Sequence, residues 1–523
     1  MKNTRPRAAV SRSVRHGRFV RLLALCSVLI GGNSRVHALT PEWSVQTEAI
    51  ATGKADPQGP GPRTADVLIA IVPGVRVASV GPTLNMKLDA SAAFVTSARG
   101  TISSSIQPRV DAALAAALLP RLLFVDALAA VRQVETNPFA GRVSDAASPN
   151  RRTASDFGIA PYLRWMPAPH WELLARQEES LMTNATRATI TGGESGDLRG
   201  QRSRLRVARD PLPFGLDVEG THETSRSTGG AVEDQIAISA VRAGATYAVA
   251  SADLVVGALA GHESARSNAI NASERLFGIT LHWQPSARTE LVARAEHRFF
   301  GTGGKLDFRW RSPLSSLVLN LHREPVVASD AFGATGAAAE VTSLASSLWG
   351  GPHADDNNDT SRRSVVGPAA PLTTRQSGAI DYTAGYVQLQ SGGSATWTLL
   401  GRRQFLSVQV YRQTLRQLTA GVVATLPVAV ADSLQQGASL DFAHRLSPTL
   451  SADLTLTTSR IEGLGARSGE VTRQEEWRVA INEQLSPQTS ATAGFRFTRL
   501  RSNALGVVSS DVPSLSVALQ HRF

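Results

Sequence analysis

The chain closes on a strict two-residue rhythm. Leu515, Val517, Leu519, His521 and Phe523 fall on one face, and Ser514, Ser516, Ala518, Gln520 and Arg522 on the other. One oily and one polar face at period two describe a strand lying between two unlike environments. Such a strand ending on an aromatic residue is the usual terminus of a bacterial outer-membrane β-barrel, with the oily face toward lipid and the polar face toward a lumen. Leu515, Val517, Leu519 and Phe523 are accordingly read as the assembly signal for the barrel-assembly machinery. The aromatic often found two residues before the end of such barrels is His521 here, a departure expected to weaken that recognition.

The opposite end agrees. Residues 1–21 are basic, Leu22–Ile30 is a short apolar core, and Val36-His37-Ala38 places small residues where a signal peptidase cuts. This reads as a signal peptide over 1–38, cleaved after Ala38. Its core is too short to span a membrane as a helix. Leu25 stands before Cys26 where a lipoprotein signal wants a small residue, so the chain's one cysteine is read as discarded with the signal.

Eight basic residues and no acid precede position 39, so losing the signal takes the formal charge from +11 to +3. The mature chain then has no general electrostatic case for nucleic acid and no cysteine for a disulfide, thiolate metal site or thiol nucleophile. No apolar run of about 20 residues follows, which argues against a helical membrane protein. A mean hydropathy of −0.08 suits strands with one oily face. Aromatic residues, at 6%, are thin for two interfacial girdles.

Alternating segments recur from about residue 42 to the end. In one run Phe277, Ile279, Leu281 and Trp283 alternate with Gly278, Thr280 and His282. Tight connections carry proline or glycine, as at Pro120, Pro167 to Pro169, Pro211 to Pro213, Gln284-Pro-Ser286, Pro313, Gly401, Pro448 and Pro487. Longer polar loops lie between them, and short turns alternating with long loops are the rhythm of periplasmic turns and outside loops. The expected fold class is all-β, an antiparallel transmembrane β-barrel over 39–523 of about 22 strands (18 to 22), too wide for its own side chains to fill. Residues 324–384 break the pattern, with a short helix expected over 337–349. They are read as a partly helical insertion on the outside, either a surface loop or an inward-folding plug.

The polar face of the strands supplies the lumen-lining candidates Arg294, Glu296, Arg298, Asp307, Arg309, Arg311, Asp441, Arg445, Asp453, Arg478 and Arg496. They read either as cross-strand ion pairs stiffening the wall or as a charged ladder conducting an anionic polymer or solute. The acidic run Asp355-Asp-Asn-Asn-Asp359 starts like a calcium loop, yet Thr360 stands where that loop wants glycine and Val366 where it wants glutamate. Gly193-Glu-Ser195-Gly lacks the context and second glycine of a nucleophile elbow. No catalytic residue, no metal site and no cofactor is expected, although a barrel hydrolase can assemble its site from distant strands.

Several stretches resemble a family of outer-membrane proteins associated with the PEP-CTERM/exosortase system, found beside exopolysaccharide loci. They are Asp66 to Ile71 with Val72-Pro73-Gly74-Val75, Leu122 to Asp126 with Gln133, Ile159 to Leu163, and the hairpin Gly401 to Phe405. The resemblance implies an outer-membrane barrel serving exopolysaccharide export or sorting-linked surface assembly, and carries no catalytic residue. The expected partners are outer-membrane lipid, the barrel-assembly machinery, and exopolysaccharide or export-apparatus proteins, with no nucleic acid. The leading reading is non-enzymatic passage or assembly of extracellular material at the cell outer membrane. A docking protein with a plugged lumen stands as the alternative.

Overall fold

The structure, a computed structural model, describes residues 40–54, 64–100, 104–135, 137–140, 151–184, 197–228, 235–249, 252–267, 270–326, 388–418 and 432–523. Strands account for nearly all of them. The first seven are β1 (Thr40–Lys54), β2 (Thr64–Val80), β3 (Leu84–Ser97), β4 (Ser105–Leu119), β5 (Leu123–Glu135), β6 (Arg151–Trp165) and β7 (Trp171–Asn184). Next come β8 (Asp197–Arg209), β9 (Phe214–Thr228), β10 (Gln235–Val249), β11 (Leu254–Ser267), β12 (Asn271–Ser286), β13 (Thr289–Arg298), β14 (Gly301–Arg311) and β15 (Ser315–Val326). The chain finishes with β16 (Gln388–Leu400), β17 (Gln404–Gln417), β18 (Ser433–Arg445), β19 (Leu450–Gly463), β20 (Val471–Gln484), β21 (Thr489–Ser502) and β22 (Ser510–Arg522).

Each strand pairs antiparallel with its sequence neighbours, and β1 pairs with β22 from Ser44↔Arg522 to Thr52↔Ser514, so the sheet closes. Closure satisfies every edge, which a wall in hydrocarbon requires. This is a closed 22-stranded antiparallel barrel of the outer-membrane type. The terminal strand behaves as its alternation predicts: Leu515, Val517, Leu519 and Phe523 are 58%, 57%, 46% and 70% exposed on the outer surface. His521 packs edge-on against Phe523 at 4.7 Å and bonds Thr489 Oγ1 through Nδ1 at 2.9 Å. A charge at the centre of this oily row would sit in hydrocarbon. Val517→Arg is therefore expected to cost about 2–4 kcal/mol, read as a lower urea midpoint for the barrel folded in bilayers. An unchanged midpoint would place this face away from lipid.

Two sequence expectations need correction. Gln284-Pro-Ser286 is not a turn: those residues belong to β12, whose register shifts between Trp283 and Ser286, and the turn follows at 287–288. The insertion expected over 324–384 begins later, because Glu324, Pro325 and Val326 pair with Gln390, Leu389 and Gln388 as the end of β15. The rest of that segment, including the expected helix and the acidic run, lies outside the described residues, as do the signal over 1–38 and Gly193-Glu-Ser195. Among the described residues the only helical elements are three-residue 3-10 turns such as Pro138–Ala140 and Gly465–Arg467.

Candidate functional site: the barrel lumen

Directly opposed residues in an antiparallel pair share a face, so the registers assign every strand residue to the lumen or the outer wall. Arg294, Glu296 and Arg298 on β13, Asp307, Arg309 and Arg311 on β14, Asp441 and Arg445 on β18, Asp453 on β19, Arg478 on β20 and Arg496 on β21 all fall on the inner face. They do not form one ladder. Glu296, 6% exposed, bonds Arg294 and lies 3.5 Å from Arg242. Arg298 holds Glu263 (Nη2–Oε1 2.5 Å), Asp307 holds Lys305 at 3.2 Å and Arg309 lies 3.7 Å from Glu290. Asp441 accepts from Thr455 Oγ1 at 2.9 Å, Asp453 accepts from Asn482 Nδ2, and Arg496 lies 3.5 Å from Glu476. Arg311 and Arg445 stand exposed at the short-turn end of the barrel. Arg478 is exposed in the lumen, opposite Arg496.

The densest charge lies on strands absent from the sequence candidates. One chain of ion pairs runs Asp126–Arg176–Glu178–Arg202–Glu223 across β5, β7, β8 and β9, with steps of 2.9, 2.7, 3.7 and 3.0 Å. The Arg176 guanidinium also lies 5.0 Å over the Tyr162 ring. A second chain runs Arg204–Glu219–Arg242–Glu296 at 2.9, 3.5 and 3.5 Å, with Arg206–Asp217 beside it at 2.8 Å. The available sequence signal was the alternation Arg202, Arg204, Arg206 against Asp217, Glu219, Glu223 on adjoining strands. Each charge neutralises its cross-strand neighbour, so this arc is stiff and locally balanced.

The wall changes character at β16. Gln390, Gly392, Ser394, Thr396 and Thr398 on β16 and Ser407, Gln409, Tyr411 and Gln413 on β17 face inward with no charged residue among them. Asn320 on β15 and Gln435 and Ser439 on β18 extend the track. One arc of the lumen is thus a web of ion pairs, and another is a run of hydroxyls and amides.

At the long-loop end two short stretches reach across the mouth. The 3-10 turn after β5 inserts Phe139, 0% exposed, among Ile461 of β19, Ala504 and Val507. Thr472 Oγ1 donates to the Phe139 carbonyl at 2.7 Å, and the Arg467 guanidinium lies 4.2 Å over its ring. From another quarter of the rim, Leu418 after β17 packs with Phe299 on the buried inward residues Ile236 and Ile238 of β10 and Ala265 of β11.

The outer wall carries two serine–histidine hydrogen bonds, His222 Nδ1 to Ser239 Oγ at 2.8 Å and His262 Nε2 to Ser273 Oγ at 3.0 Å. Among the described residues neither imidazole has a carboxylate to orient it. The neighbouring backbone N–H groups are spent in the strand ladder, so the geometry lacks both the third member of a triad and oxyanion donors. No group of three or more His, Cys, Asp or Glu residues able to hold a metal ion occurs among the described residues.

No family model matches the chain, and no curated protein matches it. Among solved structures it is similar to the FrpB iron transporter from Neisseria meningitidis (F5-1 variant), at 8% identity over 95% of this chain and 84% of that one, with a TM-score of 0.48. It is also similar to the ferric citrate transporter FecA in unliganded form, at 10% identity, 93% and 79% coverage, and a TM-score of 0.45. OccK2 (OpdF) from Pseudomonas aeruginosa, in complex with glucuronate, matches at 9% identity, 92% and 98% coverage, and a TM-score of 0.31.

Proposed function

We propose that this barrel is a gated pore of the outer membrane, with short turns in the periplasm and long loops outside, and that it passes polysaccharide rather than a polyanion. The carrying observation is the uncharged track along β16 and β17. Sugar hydroxyls exchange water for Ser, Thr, Asn and Gln side chains at little net cost, and the exchange is reversible enough for passage. The ion-paired arc opposite offers no excess of one sign to hold a charged polymer. Exopolysaccharide export or PEP-CTERM-linked surface assembly is the setting that the sequence resemblance supports, and export-apparatus proteins are the partners it implies.

The test is current block in planar bilayers with residues 39–523. Neutral maltooligosaccharides are expected to interrupt the current at millimolar concentration, and polyglutamate of similar length is expected not to. Block by polyglutamate alone would reject the polysaccharide reading. A docking protein with a closed lumen is the second reading, favoured by Phe139 and Leu418 across the mouth. Silence from both the intact chain and a chain lacking 327–387 would support it.

A further inference from the structure

The outer wall is asymmetric in a way that accounts for the low aromatic content. Six of the seven described tryptophans, Trp43, Trp165, Trp171, Trp283, Trp310 and Trp397, lie on the outer face within about four residues of the short-turn end. Above them the oily belt rises through three to five outward residues per strand, such as Leu281, Ile279 and Phe277 on β12, or Leu406, Val408 and Val410 on β17. About eight residues of strand at about 3.3 Å each, tilted near 40°, span roughly 20 Å. At the upper edge, where a second aromatic girdle would stand, β12, β15 and β17 carry arginine as the next outward residue. Arg275 follows Phe277 on β12, Arg323 follows Leu321 on β15, and Arg412 follows Val410 on β17, with Arg266 and Arg416 slightly higher on β11 and β17. All five are exposed and have no ion pair among the described residues, and β9 to β17 present no outward carboxylate among those residues. Their counterparts on β20 to β22 differ: Arg499 lies 3.8 Å from Glu475 and 3.5 Å from Asp511, and Arg501 bonds Asp511 twice at 2.9 Å.

We infer that the β11–β17 sector of this collar is a docking surface for phosphate-bearing lipids of the outer leaflet. The inference rests on the orientation proposed above, with the long loops outside. Guanidinium groups bind phosphate oxygens through paired N–H donors and dehydrate more easily than ammonium groups. Cations at the headgroup level are held by anionic lipid. Strands lie about 4.8 Å apart and rise about 3.3 Å per residue, so Arg323 and Arg412, two strands apart and offset by two residues in register, stand about 12 Å from each other along the wall. A headgroup with two phosphates can engage both while its acyl chains lie on the oily belt below.

The test measures lipid retention by the folded barrel in detergent using native mass spectrometry, with lipid A carrying both phosphates as the probe and the same lipid after phosphatase treatment as the comparison. The native chain is expected to retain the phosphorylated form at least ten-fold better. Combining Arg266→Gln, Arg275→Gln, Arg323→Gln, Arg412→Gln and Arg416→Gln is expected to remove that preference, whereas Arg499→Gln with Arg501→Gln keeps it. Equal retention of both lipids by the native chain overturns the proposal, whether or not the five-fold variant folds. So does displacement of lipid A by 10 mM inorganic phosphate, which would make the collar a site for the free ion. Binding in detergent needs no open lumen, so its failure is distinct from failure of the pore reading.

Discussion

Releasing Phe139 is expected to raise the open probability of the proposed pore, taking it from mostly closed to mostly open. The ring is fully buried between Ile461, Ala504 and Val507 under the Arg467 guanidinium, and Thr472 holds its carbonyl. Removing a buried phenyl ring costs about 3–5 kcal/mol. Where that energy belongs to the docked state alone, the docked-to-free ratio falls by a factor on the order of 10²–10⁴. Phe139→Ala should therefore raise the open probability in single-channel recordings with little change in unit conductance, since the wall is untouched. Leu418→Ala, at the other crossing, should act in the same direction and add to it. If both variants record as the native chain does, neither crossing is the barrier and closure lies elsewhere.

Strand number and facing were legible because the lipid-facing and lumen-facing residues alternate, and the registers keep that alternation in phase around the whole barrel. One local misreading came from Pro285. A proline between alternating segments reads as a turn, but it falls where β12 shifts register against β13, so no ladder bond is asked of it. The ion pairs were harder to see. Arg204 and Glu219 meet only because β8 and β9 pair with Arg204 opposite Thr221 and Arg206 opposite Glu219, and a single sequence does not state that register. The mouth was invisible: Asn137-Pro-Phe139 carries no local sign of a partner at Thr472, 333 residues away. The thin aromatic content, puzzling in the sequence, reflects tryptophans gathered at one end of the wall and arginines at the other.

The second large effect is expected at Glu263. Its carboxylate is 0% exposed and accepts from three donors at the β13 end: Arg298 Nε at 3.0 and 3.2 Å to its two oxygens, Arg298 Nη2 at 2.5 Å and the Phe299 backbone N–H at 3.3 Å. The site lies beside Ile236, Ile238 and Ala265, under Phe299 and Leu418. Glu263→Leu removes the fully buried carboxylate that the part-buried Arg298 guanidinium bonds, and stranding one member of such a pair costs about 3 kcal/mol, the lower end for a buried pair. The variant should lower the urea midpoint measured by circular dichroism and heat-modifiable gel mobility. It should also loosen Leu418, so that open probability rises as stability falls. Adding Arg298→Met removes the stranded charge and is expected to recover most of the stability, because well-packed apolar residues commonly replace a buried pair at little cost. A native-like midpoint in the single variant would mean that Arg298 finds water or another acid, and the pair would then contribute little to closing the mouth.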